Sequence, residues 1–472
     1  MEKQKQESWR MLEKRGAACR LKGDAAGCAQ AYYEAARCDR FLRSQREHYS
    51  SYLFTLHYLP GISAEELARQ HFVYGRLYRD ELVEMEAGGR EADDAATAGR
   101  RLRIGFLAPD FLESSAARFY EALLDLPQDD FEVFAYSLTD IADGFTRHIW
   151  LTAEHARVLP PHDIEASEHA IAADALDILV DLGGHTAGGA TLMLLAHHPA
   201  HMIIEAVGWF DTTGLPTVDF LLTDDIMDPS GREHLLMEQP LRLPHAWCFS
   251  PSKAMCAARE REERRRRKRA SGDIPVRLAS FQNFLKISDD VLDAWHKILD
   301  HAPQAQLCVQ DTMCVPERVA ELQRRMDAAG LPMKRVTIRM GSDCYLDDLA
   351  VQDLVLDTFP YPGGAMTATA LYLGVPVLTL RGDSHSRSVG ASMLETVGLP
   401  ELIAADGGQY VEKAVGLCSM PEQLSRLQDR VWSTVRSSPL CGRRAFRSAW
   451  QQALQQCSHS EYENFTKNRK TT

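Results

Sequence analysis

The chain has 472 residues, 45% of them hydrophobic, and a formal net charge of −13. That length allows two to four domains of roughly 100–200 residues each, with enough apolar residues for sizeable cores. The acidic balance excludes a general polyanion binder, so no nucleic-acid partner is expected, although a local basic patch beside a phosphate is compatible with it.

Eleven cysteines are scattered without a CxxC pair, which suggests neither a zinc site nor a disulfide framework and reads as reduced thiols in the cytoplasm. The first residues, MEKQKQESWRMLEKR, contain no apolar signal region, and no run of about 18 apolar residues occurs, so neither secretion nor a membrane span is expected.

Residues 1–95 carry apolar residues at helical spacing and no strand pattern. Within LKGDAAGCAQAYYEAARC, Gly23 and Asp24 turn the chain, and Ala31, Tyr32 and Ala35 fall where a tetratricopeptide-type second helix places its packing residues. A generic helical pair fits the same residues, because a repeat array needs about three repeats to bury its core. Glu84–Arg100 reads as a polar linker.

From Arg101 the pattern becomes short apolar runs alternating with helical segments, which predicts an α/β region with a mostly parallel sheet. RLRIGFL, FEVFAYSL, ARVL, DILVDL, MIIEAV and DFLLTD are the strands of a first half over 101–252. Residues 253–273 are too charged for burial and are expected to be a solvated loop or helix, or a contact for an acidic partner. VRLASF, AQLCVQ, RVTIRM, DLVLDTF and VPVLTL give a second half over 274–440, and the amphipathic stretch within 441–472 is expected to pack back on the first half. Ligands of such folds bind at the carboxyl ends of the strands, here in a cleft between the halves.

Three strand ends carry candidate chemistry. After Leu354–Leu356, Gly363 and Gly364 let the backbone approach a ligand, and a helix from Ala365 presents the free N–H groups of Ala365, Met366 and Thr367 and its positive dipole end to an anion. Thr367 and Thr369 are possible hydroxyl donors beside it. A tight connection with no ligand is the alternative. After Ile178–Val180, the Gly183-Gly184 turn delivers His185, a candidate for acid/base or phosphate work or an ordinary structural histidine. After the strand ending near Ser280 come Asn283 and Lys286, where the lysine could neutralise a leaving phosphate or be merely solvated ahead of the capped helix in ISDDVLDAWHKIL.

These segments, with LHYLPGISAEELARQHF, RLRIGFLAPDF, GWFDTTGLPTVDFLLTD, LDTFPYPGGAMTATALYLGVPVLTL and GDSHSRSVGASMLETVGLPELIA, resemble the O-linked N-acetylglucosamine transferases, glycosyltransferase family 41, in order and spacing from about Ser50 onward. The bacterial adhesin N-glycosyltransferases are related. The resemblance implies a GT-B fold, two Rossmann-like domains facing a cleft behind a small helical-repeat-like region. It also implies an inverting, metal-independent transfer of a hexose or N-acetylhexosamine from a UDP-sugar to Ser, Thr or Asn side chains of a protein acceptor. Carried over by position, His185 is the histidine of the family's GHT motif and a catalytic candidate. By the same resemblance, Lys286 matches the lysine that contacts the donor diphosphate, Asn283 an amide-bearing position just before it, and Gly363 and Gly364 the phosphate turn.

The chain departs from the family in four places. Asp110-Phe111 is followed by Leu112, Glu113 and Ser114, with no histidine. The segment Ala365, Met366, Thr367, Ala368, Thr369 lacks the carboxylate that binds ribose in relatives. Gly208-Trp209-Phe210-Asp211 replaces GYPG, and Tyr345 with Asp347 and Asp348 stands near the uracil position. Two functions therefore stay open, a protein glycosyltransferase and a non-catalytic relative that binds a partner glycosyltransferase or an acceptor protein; an epimerase of GT-B shape fits the helical front poorly.

Overall fold

The computed structural model describes residues 2–80, 100–266 and 275–458. Short apolar runs become strands buried on both faces at the centre of each sheet, and a parallel sheet is the arrangement whose crossover helices cover both faces. One sheet pairs β1 (Leu102–Ala108), β2 (Phe131–Ser137), β3 (His155–Val158), β4 (Ile178–Asp181), β5 (Met202–Glu205), β6 (Phe220–Thr223) and β7 (Gln239–Arg242) in the order β3-β2-β1-β4-β5-β6-β7, all parallel. The other pairs β8 (Arg277–Phe281), β9 (Gln306–Gln310), β10 (Val336–Arg339), β11 (Leu354–Leu356), β12 (Val377–Leu380) and β13 (Ile403–Ala404) in the order β10-β9-β8-β11-β12-β13, also parallel. The direction of winding reverses between β1 and β4 and again between β8 and β11, the positions where an open α/β sheet has its ligand crevice.

Both reversal points are built alike. Asp177, just ahead of β4, accepts the backbone N–H of Arg103 at 2.7 Å and a two-pronged Arg100 guanidinium. Asp353, just ahead of β11, accepts the N–H of Arg277 at 2.8 Å and both prongs of that residue's guanidinium. A paired, hydrogen-bonded carboxylate is tolerated there because its charge is matched by a planar fork. In the six-stranded unit, Trp295, Ile298 and Leu299 from the helix Asp289–His301 close the core over Leu278, Leu307 and Leu354. The cap expected for that helix is present, with Ser288 Oγ accepting from Val291 N at 3.3 Å.

The helical front, expected as a domain over 1–95, does not stand alone. Described residues within Met1–Arg40 and Tyr52–Ala64 belong with Phe249–Gly442 around the six-stranded sheet, whereas those within Phe41–Ser51 belong with Glu65–Cys248 and Arg443–Thr472 around the seven-stranded one. The boundary runs through the helix Leu42–Leu56. A few helices bury too little apolar surface to form a core of their own, so each joins one of the two sheet-centred units, the helix Glu2–Lys22 packing on the helix Pro316–Ala328. The helices Glu2–Lys22 and Ala25–Cys38 form a hairpin in which Ala31 and Ala35 are wholly buried.

The tail helix Arg443–Ser458 packs in the seven-stranded unit, where Arg443 bonds Glu121 and Asp125 and Trp450 Nε1 donates to Leu123 O at 3.2 Å. Two strands escape sequence reading: β7 contains Pro240 and little apolar content, as an edge strand can, and β13 has only two residues. The charged segment also differs from expectation, since Lys253–Arg266 is a helix whose Arg259 is buried. Arg259 donates to the carbonyls of Tyr372 and Trp432 and lies 3.8 Å from the Trp432 ring, so an aromatic face and two carbonyls replace its hydration. The remainder, 267–274, and the linker expected at Glu84–Arg100, apart from Arg100, lie outside the described residues. Among the described residues no helix is long and apolar enough to cross a membrane.

Candidate functional site

The strongest candidate lies within the six-stranded unit, at the reversal between β8 and β11. Asp357 follows β11 directly and is fully buried. Its Oδ1 accepts from Gly363 N at 2.7 Å, Thr358 N at 3.0 Å and Gln282 Nε2 at 3.3 Å, and its Oδ2 accepts from Thr379 Oγ1 at 2.9 Å. Four donors converging on one carboxylate fold the segment 358–363 back over the strand end. A Cβ on Gly363 would stand 2.3 Å from Gln282 Nε2 and 2.6 Å from Thr367 Oγ1 and would displace both side chains. Burial pushes the Asp357 carboxyl up to about 6, opposed by the Gly363 and Thr379 hydrogen bonds and by the Lys286 charge.

The helix Ala365–Tyr372 begins at Gly364 without a side-chain cap, and its first backbone bond runs from Ala368 N to Gly364 O at 3.1 Å. The N–H groups of Ala365, Met366 and Thr367 therefore have no partner within the helix, which is the arrangement that receives an anion. Thr367 Oγ1 is buried without a hydrogen-bond partner. Thr369 is different: its hydroxyl donates to Ala365 O at 2.7 Å inside its own helix, so the structure does not offer it to a ligand.

Lys286 sits in the short turn Phe284–Lys286 that follows β8. Its Nζ donates to Pro362 O at 2.9 Å and to Gln282 Oε1 at 3.3 Å and lies 4.7 Å from the Tyr361 ring centroid. Burial lowers its pKa to about 8, with the Asp357 charge acting in the opposite direction. Gln282 thus joins Lys286 and Asp357 through its two amide ends. Tyr58 and His57 meet Tyr361 edge-on with ring centroids 5.4 and 5.8 Å away, and His57 Nδ1 lies 3.1 Å from Ser386 Oγ at the start of the helix His385–Thr396. Asn283, expected near the donor, directs its Oδ1 inward to Leu285 N and Arg318 Nη2 and so shapes the lysine turn from behind.

His185 belongs to the seven-stranded unit and is placed elsewhere than expected. Asp181, at the end of β4, accepts from Gly183 N at 3.0 Å and Gly184 N at 2.9 Å, and Gly184 takes a positive φ of 49° against Trp209. That turn directs the imidazole into the interior, where it is only 1% exposed. Its Nε2 lies 3.0 Å from the Thr213 carbonyl, which only an N–H can satisfy, and its Nδ1 lies 2.9 Å from Ser50 Oγ. Tyr74 and Trp209 meet the ring edge-on at 4.7 and 5.1 Å. Burial drives its pKa well below the usual histidine value, with His71 adding to the effect. Burial keeps the imidazole neutral, with Nε2–H donating to Thr213 O and Nδ1 facing the Ser50 hydroxyl. Ser114 likewise acts locally, its Oγ accepting from Ala117 N at 3.2 Å. Asp347 and Asp348 are paired with Arg261 and Arg339.

Sequence reasoning missed Gln282, Asp357 and Tyr361. One signal was available, because DILVD and DLVLD repeat a D-x-x-x-D frame at the two reversal strands, and the second aspartate caps a Gly-Gly turn in both.

Two Rossmann-type parallel sheets with a helical front define a fold of the GT-B class. The model of Glycosyl transferase family 41 matches residues 86–262 and 263–449, and the chain belongs to that family. It is 31% identical over 406 residues to a protein of Solanum lycopersicum described as a probable UDP-N-acetylglucosamine--peptide N-acetylglucosaminyltransferase SPINDLY, covering 82% of this chain and 42% of that one. Over 353 residues it is 26% identical to the Arabidopsis thaliana protein described as SEC of the same class, covering 72% of this chain and 35% of that one. A solved mutant of the Thermobaculum terrenum O-GlcNAc transferase superposes with a TM-score of 0.79 at 24% identity, covering 94% of this chain and 85% of that one, which shows a shared fold. The chain spans about two-fifths of the length of the curated relatives it matches.

Proposed function

We propose that this chain transfers a hexose or N-acetylhexosamine from a UDP-sugar to Ser, Thr or Asn side chains of a protein, with inversion and without a divalent metal. The observation that carries this reading is the meeting of the Lys286 ammonium and the uncapped start of the helix Ala365–Tyr372 on one turn. An inverting displacement needs the acceptor oxygen on one face of the sugar and a stabilised diphosphate leaving group on the other. A fixed cation and free N–H groups stabilise that developing charge without having to reorganise. Gly363 and Gly364 give the diphosphate room, Asp357 fixes the turn, and the hydroxyl of Thr367 is a further donor. The family membership and the activity described for the relatives support the same reading. Eleven unpaired thiols support a reducing, cytoplasmic setting.

A second reading, a relative that binds the donor or a partner glycosyltransferase without transfer, is favoured by one observation: the His185 ring is buried, with Nε2 on the Thr213 carbonyl and Nδ1 on the Ser50 hydroxyl. Calorimetric titration with UDP, in chelator and in magnesium, paired with a labelled-sugar transfer assay on a peptide pool, separates the two. UDP binding with transfer supports the enzyme, UDP binding without transfer supports the second reading, and no binding in chelator overturns the metal-free donor site.

A further inference from the structure

The turn that carries Lys286 is joined to the end of the front hairpin through a buried arginine. Arg318, in the helix Pro316–Ala328, is 1% exposed. Its guanidinium forms a two-pronged pair with the equally buried Asp311 carboxylate. One Nη2 proton reaches Asn283 Oδ1 at 2.6 Å, and Nη1 reaches the backbone carbonyl of Arg20 at 2.6 Å. Arg20 lies in the last turn of the helix Glu2–Lys22, whose end is closed by Gly23 N to Arg20 O and Asp24 N to Cys19 O. The carbonyl end of a helix carries partial negative charge, so a cation is stabilised there as well as at Asp311. On its other side, Asp311 accepts the N–H of Phe284, and Asn283 Oδ1 accepts that of Leu285. The two residues ahead of Lys286 are thus held, directly or through one partner, by a single guanidinium.

We infer that Arg318 is a positioning residue for Lys286, fixing the turn that carries the ammonium and tying it to the end of the front hairpin. Its five fixed donors suit three acceptors at once, which a lysine in its place cannot match. Whatever displaces the front hairpin then loosens the lysine turn, so the front acts on donor binding without touching the donor. This inference rests on the donor-site reading above.

The test is UDP affinity of the full chain across pH, for wild type and Arg318→Lys, with thermal melting recorded alongside. Wild type is expected to lose UDP affinity on the alkaline side of about 8, where Lys286 gives up its proton. Arg318→Lys, which keeps the charge opposite Asp311, is expected to weaken UDP by about tenfold and to displace that alkaline limb. Unchanged affinity overturns the inference. A weakened affinity with the limb unmoved also overturns it, because a merely structural role lowers binding without altering the proton equilibrium of Lys286. Should Arg318→Lys fail to fold, Asn283→Ser replaces it: serine caps Leu285 but is too short to meet Arg318, and the same two readouts decide. Absence of UDP binding by wild type at every pH overturns the donor reading and this inference together, whereas binding by wild type with an indifferent variant overturns this inference alone.

Discussion

Lys286 Nζ donates to the carbonyl of Pro362 at 2.9 Å, so the cation is already drawn onto the turn that would receive a diphosphate. A charge held in place beforehand costs little reorganisation when a leaving group develops its own charge. Among the described residues the ammonium's other hydrogen-bond acceptor is Gln282 Oε1 at 3.3 Å.

Replacing Lys286 by alanine should therefore act on the reaction more than on the fold. Turnover is expected to drop by about 100–1000-fold, equivalent to roughly 3–4 kcal/mol. Melting should change little, since burial opposes the charge that is removed. Steady-state transfer kinetics beside a melting curve check both, and near-normal transfer would remove Lys286 from the site.

The affinity for UDP should fall as pH rises through about 8, because burial has brought the Lys286 pKa down to that value and only the protonated amine pairs with the diphosphate. Below that pH the amine is charged and affinity should be flat from this group. Titrations of wild type and Lys286→Ala at several pH values check the sign: the alkaline limb should be present in the first and absent in the second.

Gly363→Ala tests the close approach. A methyl group at that position meets Gln282 Nε2 and Thr367 Oγ1 far inside contact distance, so the amide that bridges Lys286 and Asp357 and the Thr367 hydroxyl must be displaced. UDP affinity should fall by at least about tenfold, with a stability loss of about 1–3 kcal/mol typical of overpacking. A variant that binds UDP as well as wild type would show that the turn is not the phosphate seat.

For His185 the expected effect is on stability. His185→Ala removes a buried ring and its partners at Thr213 and Ser50, so a loss of about 2–4 kcal/mol is expected from chemical denaturation. Because the folded pKa lies well below the usual 6.5, the neutral ring contributes stability that is present above that pH and is lost as pH falls below it. The acid sensitivity of wild type should therefore be weaker in the variant. Transfer that loses its acid limb in His185→Ala, with stability unchanged, would restore the catalytic role.

The sequence by itself determined the alternation of strands and helices, the two α/β halves, the Gly363-Gly364 turn with a helix behind it and the lysine after β8. These are local: apolar period, glycine placement and strand-end position are all written within a dozen residues of one another. The family resemblance was legible for the same reason, since its motifs are short and stand in order. Only the tertiary structure decided which of those groups meet. Gln282 and Asp357 lie far apart in the chain, and nothing in either segment says that an amide will bridge a lysine to a carboxylate. Thr367 and Thr369 look alike as hydroxyls, yet one is left without a partner and the other bonds its own helix. His185 stands after a Gly-Gly turn as a cleft residue would, but the positive φ of Gly184 and the carbonyl of Thr213 turn it inward. The front helices read as a separate region because helical spacing is local, whereas the unit each one joins depends on which apolar face finds a partner, and that is settled by long-range packing.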